Sequence, residues 1–71
     1  MTLIEIKLSG TTYTCENTFE YIESQIKLKE SFIKINECYW EINERGGVTS
    51  KRRDKLLLKS NITEITVIKS E

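Results

Sequence analysis

Histidine, proline and alanine are all absent from the sequence, which holds only three glycines and two cysteines among its 71 residues. Without histidine, Ser-His-Asp and Cys-His nucleophiles and histidine-based metal sites are excluded. The only adjacent glycines are Gly46 and Gly47, so neither a P-loop nor a GxGxxG dinucleotide turn is present. Cys15 and Cys38 lie far apart and neither belongs to a CxxC pair, which argues against a disulfide scaffold or a zinc knuckle and for reduced, half-buried thiols. Eleven acidic residues leave a carboxylate pair arithmetically open, but in so charged a small chain they read as a solvated face. The expectation is a non-enzymatic protein with no catalytic residue, no metal site and no cofactor.

No apolar run long enough to cross a membrane occurs. Glu5 interrupts Met1-Thr2-Leu3-Ile4 where a signal peptide needs a continuous apolar stretch, so a cytoplasmic location is expected. The abundance of Ile, Lys, Glu, Thr and Asn, with no Ala or Pro, is what an AT-rich coding sequence produces. It points to a low-GC Gram-positive bacterium, or to a phage or mobile element living in one. So short a chain buries only about 60% of the surface its unfolded form exposes. One domain over residues 1–71 is therefore expected, with self-association as a means of extending its thin core.

Net charge is zero, yet the charges are segregated. Residues 1–44 carry eight Glu against four Lys, whereas residues 45–55 carry Arg45, Lys51, Arg52, Arg53 and Lys55 against Asp54 alone. One short segment holds the whole basic excess.

Ile4, Ile6 and Leu8 alternate with Glu5 and Lys7, the period of a strand with one buried face. A turn at Ser9-Gly10 makes a hairpin over residues 2–15 that opposes Leu8 to Thr11, Ile6 to Tyr13 and Ile4 to Cys15, placing their apolar side chains on one side. Asn17 with Glu20 resembles a capping box, and Phe19, Ile22 and Ile26 recur at helical spacing with Glu23 and Lys27 at i,i+4, predicting an amphipathic helix over 18–29. The apolar phase then changes between Ile33 and Ile35 and the set Cys38, Trp40 and Ile42. A turn at Asn36-Glu37 restores one face and predicts a hairpin over 32–43; a bulge in one continuous strand is the rival reading. In either hairpin strand Tyr39 points outward, away from Cys38 and Trp40.

Residues 44–55 contain a single apolar side chain, Val48, and read as a long basic loop. The β-branched closing segment predicts a third hairpin over 56–69, turning at Ser60-Asn61 and opposing Leu56 to Ile65 and Leu58 to Thr63. The competing reading is a helix from Thr49 or Ser50 to just before Asn61. Helix and strands together predict a mostly β fold, an SH3-like partly open barrel or curled antiparallel sheet of about six short strands with one helix after the first hairpin. Its core should join Ile4, Ile6, Leu8, Tyr13, Ile33, Ile35, Trp40, Leu56, Leu58, Ile65 and Val67 to Phe19, Ile22 and Ile26 of the helix.

Such an architecture carries no function with it. The expected activity is protein interaction, binding and modulating a host or self protein through Arg45, Lys51, Arg52, Arg53, Lys55 and Tyr39. A nucleic-acid-binding barrel that sets the same cations on phosphates, with Tyr39 as a stacking platform, is the alternative. Zero net charge ranks a protein partner above nucleic acid. Exposed sheet edges ending in Leu3 and Ile68 predict a two-fold homodimer.

Overall fold

Ile4, Ile6, Cys15, Ile22, Ile33, Ile35 and Leu57 are withdrawn from water into one cluster, against which Leu8, Tyr13, Tyr21, Ile62 and Ile65 pack. The structure, a computed structural model, describes residues 2–70; of the single domain expected over 1–71, Met1 and Glu71 lie outside the described residues. The elements are β1 (Leu3–Leu8), β2 (Thr11–Cys15), α1 (Phe19–Lys27), β3 (Phe32–Ile42), β4 (Val48–Leu58), a 3₁₀ turn (Lys59–Asn61) and β5 (Ile62–Lys69). The five strands form one antiparallel sheet in the order β4-β3-β2-β1-β5. The sheet curls without closing, giving the partly open, mostly β architecture expected, with five strands rather than six.

The β1–β2 hairpin has the predicted register, Ile6 facing Tyr13 and Ile4 facing Cys15, and Gly10 takes the positive φ of the turn (83°). The helix is slightly shorter than expected and is capped by Thr18, not Asn17: the Thr18 hydroxyl accepts from the Tyr21 N–H. Asn17 is used elsewhere, because β2 pairs with β3 only at Thr14–Cys38 and Cys15–Glu37. Beyond that point the β3 backbone faces α1, and side chains replace the missing strand. Asn36 N–H donates to Asn17 Oδ1 (2.8 Å), Lys34 N–H to Gln25 Oε1 (3.2 Å), and the Tyr21 hydroxyl donates to the Lys34 carbonyl (2.9 Å). These bonds satisfy backbone groups that no strand reaches. At the far end of α1 the Lys59 ammonium donates to the carbonyls of Ile26 and Leu28, a cation on the negative pole of the helix.

The second half of the chain departs from expectation. No turn interrupts residues 32–42: β3 is one eleven-residue strand, and its partner is β4, which occupies most of the segment expected to be a loop or a helix. The reversal lies at residues 43–47. There Asn43 accepts from Gly46 N–H through its carbonyl and from Arg45 and Gly47 N–H through its side chain, while Gly46 adopts φ 79°. Cross-strand pairing, not core burial, holds β4. The third hairpin is also absent: β4 and β5 are consecutive but lie at opposite edges of the sheet, β5 pairing with β1 so that Ile65 faces Ile6, not Leu56. The 3₁₀ turn swings the chain from one edge to the other.

With β3 continuous, its odd-numbered residues turn inward and its even-numbered ones outward. Ile33, Ile35 and Glu37 are buried; Trp40 is on the outer face and 69% exposed. Leu57, not Leu56, enters the core, and Val67, Phe19 and Ile26 remain substantially exposed. The far ends of β3 and β4 run past the core as a ribbon, and the molecule measures 44 × 27 × 18 Å.

Candidate functional site

The β3–β4 ribbon carries all the residues expected to bind a partner, and it sorts them onto two faces. In an antiparallel pair directly opposed residues share a face. Glu37 with Arg53 and Tyr39 with Lys51 therefore lie on the inner face beside Lys55, whereas Cys38 with Arg52, Trp40 with Ser50, and Ile42 with Val48 lie on the outer face. Tyr39 thus belongs to the inner face and is half-buried, contrary to expectation. Arg45 sits apart, in the turn.

The inner face begins where the apolar core stops. Glu37 follows Ile33 and Ile35 inward and is 6% exposed, opposite Cys15 on β2 and Arg53 on β4. Arg53 Nε donates to its Oε1 at 2.7 Å, and Lys55 Nζ lies 3.8 Å from the same oxygen. Each cation also rests on an aromatic ring: Arg53 is 4.1 Å from the Tyr39 centroid and Lys55 4.5 Å from that of Tyr13. Tyr13, Glu37, Tyr39, Arg53 and Lys55 form one closed polar cluster. Farther out, Lys51 lies 3.5 Å from Glu41.

On the outer face Arg52 grips the carboxylate of Glu16 and holds it below the usual carboxylate range. Beneath that pair lies Cys38, whose thiol is pushed up to about 11 by burial and then by the neighbouring Glu16. Burial likewise pushes the Cys15 thiol up. Both thiols stay protonated at neutral pH, so a disulfide-exchange reagent at pH 8 should modify them at least about tenfold more slowly in the folded chain than in urea. Equal rates in the two conditions would show that the sheet does not shield them.

The basic segment is therefore not a free cationic surface. Lys51, Arg52, Arg53 and Lys55 each face a carboxylate of β3 or of the segment after β2, and only Arg45 of the five has no such partner among the described residues. Neutralising Lys51, Arg52 and Arg53 together would strand Glu41 and Glu16 and leave Glu37 with Lys55 alone. Four cations of the basic segment meet three carboxylates, so most of its excess is compensated locally.

The outer face of the ribbon is apolar at its far end. Trp40, Ile42 and Val48 are 69%, 78% and 65% exposed on the same outer face, Ile42 directly opposite Val48 and Trp40 two pairs farther in, opposite Ser50. The sequence reading missed this patch by placing Trp40 in the core. The signal was present in the turn residues Asn43 and Gly46: a reversal there opposes residues whose numbers sum to 90 and sets Glu37 against Arg53 at once. Among the described residues there is no enclosed pocket and no group of three or more metal-ligating side chains. No helix is long and apolar enough to cross a membrane. Comparison of the chain with protein families, with curated proteins and with solved structures finds no match to any of them.

Proposed function

We propose that the chain is a small non-enzymatic protein-interaction module whose contact surface is the outer face of the β3–β4 ribbon, with Trp40 as its anchor. The observation that carries this reading is the exposure of Trp40, Ile42 and Val48 together on one face of a projecting ribbon. A solvent-exposed tryptophan flanked by two aliphatic side chains contributes nothing to the core, and such a patch is typical of a surface that another protein covers. The charges on that face are internally paired, so the partner is a protein with an apolar, weakly charged recess into which an indole fits. This replaces the basic residues as the centre of the contact. It ranks nucleic acid lower, because cations held by Glu16, Glu37 and Glu41 are already neutralised before any phosphate approaches. Composition supports an origin in a low-GC Gram-positive bacterium or one of its phages, and the partner would then be a cytoplasmic host protein or a protein of the same element.

Trp40 is the sole tryptophan and reports on its own site. Its emission should be that of a solvated indole, open to iodide quenching, in the free chain. Proteins of a low-GC bacterial lysate retained by the immobilised parent, and lost from a Trp40→Ser, Ile42→Ser variant, are the expected result. Once one is purified, the double substitution should weaken it at least about 30-fold, the effect of removing a buried aromatic anchor, and binding should blue-shift the emission. Equal retention by parent and variant would dismiss the patch. A salt-sensitive gel shift with DNA or RNA oligonucleotides that survives the double substitution would transfer the assignment to nucleic acid.

A further inference from the structure

The two edges of the sheet are protected very differently. β4 carries Lys51, Arg52, Arg53 and Lys55 within five consecutive residues, and a second β4 laid antiparallel across that basic run opposes cation to cation, as Lys51 to Lys55 about Arg53. Such charging is how edge strands are kept from pairing. β5 has none of it. Eight residues long and bonded on one side only, to β1, it is built largely from β-branched residues, contains no proline, and within residues 62–68 has a single charge, Glu64, which Lys7 faces at 4.0 Å. Val67 and Ile68 are left substantially exposed.

We propose that a second copy of the chain adds to the β5 edge, antiparallel and two-fold, so that the two sheets become one. The register follows from three constraints. A two-fold axis relating antiparallel edge strands stands perpendicular to the sheet, so each residue opposes one of the same face. Thr63 lies at the register shift between Lys7 and Leu8 and its hydroxyl donates to the Lys7 carbonyl, so the regular edge starts at Glu64. A centre at Glu64 would oppose two carboxylates. A second register shift, between Leu3 and Ile4, falls at Ile68, so the regular edge runs from Glu64 to Val67. Centring on Thr66 sets Thr66 against Thr66 of the second copy and Ile65 against Val67 twice on the inner face with no like charges opposed, whereas a centre at Ile65 would set Val67 against the irregular Thr63. The occupant is another copy because this edge complements itself where β4 cannot. Since β5 and β4 are opposite edges, the dimer leaves both Trp40 ribbons free and presents two contact surfaces for one partner. The inference stands on the β5 edge alone and does not depend on the ribbon reading.

Sedimentation velocity up to millimolar concentration should show a concentration-dependent dimer for the parent. Thr66→Lys and Thr66→Glu should each raise its dissociation constant at least about tenfold by opposing like charges, and an equimolar mixture of the two should restore the dimer, because only a residue facing itself across the axis is rescued by its opposite. Thr49→Lys, at the other edge, should change nothing. The Trp40 emission should stay that of a solvated indole across the same concentrations. A parent that remains monomeric, an unaffected Thr66→Lys dimer, or a mixture that does not recover overturns the proposal. A Trp40 blue shift on self-association also overturns it, moving the contact to the ribbon, whereas loss of partner capture with the β5 dimer intact bears only on the ribbon.

Discussion

Ile6→Ala is expected to lower the free energy of unfolding by about 2–5 kcal/mol, whereas Trp40→Ala is expected to change it by less than about 0.5 kcal/mol. Ile6 has no exposed surface and sits in mid-sheet, opposite Tyr13 of β2 on one side and Ile65 of β5 on the other. Truncation there leaves a cavity that three strands would have to close together, and close packing does not allow that. A chain of this size has a stability on the order of 5 kcal/mol, so the loss is enough to unfold a large fraction of it. Trp40, by contrast, already keeps most of its surface in water on the ribbon. Urea titrations of both variants check the pair. A large loss at Trp40 would mean that the indole is covered in the free chain, and the ribbon would then have no exposed anchor.

The second large effect is expected at Glu37. Glu37→Gln keeps the shape but leaves Arg53 and Lys55 without their common carboxylate at the margin of the core. Removing one member of a fully buried ion pair costs about 3–5 kcal/mol. Here the Arg53 and Lys55 side chains keep 50% and 30% of their exposure, so water recovers part of the loss and about 1–2 kcal/mol is expected. A double-mutant cycle with Arg53→Gln should return a coupling of about 1 kcal/mol, reduced by added salt. Lys34 and Asp54, 3.9 Å apart and well exposed, serve as a control whose coupling should be smaller. If the two couplings are equal, burial of Glu37 contributes nothing and the inner cluster is only a surface network.

The sequence alone determined those elements whose apolar pattern and turn chemistry lie close together in the chain. Alternation in residues 3–8 around Ser9-Gly10 specifies the first hairpin to the residue, because a one-residue slip would turn Ile4 and Ile6 out of the core. Helical spacing of Phe19, Ile22 and Ile26 specifies α1, and the absence of histidine closes off whole classes of chemistry. The rest was decided by contacts between segments far apart in the chain. β4 has almost no apolar signature; it is a strand because β3 lies beside it and offers Glu37 and Glu41 to Arg53 and Lys51, interactions that no local window contains. The register of β3 follows from the same pairing, and with it the side of the sheet on which Trp40 and Tyr39 fall. Leu56, Leu58 and Ile65 have the pattern of a hairpin, but β1 offers β5 a partner strand on which Ile65 meets Ile6, and the 3₁₀ turn sends the chain there. The acidic and basic halves of the chain are visible in its composition. That most of the basic segment meets carboxylates when the sheet forms, leaving an apolar face and a sparsely charged β5 edge, follows only from which strands the folded sheet brings side by side.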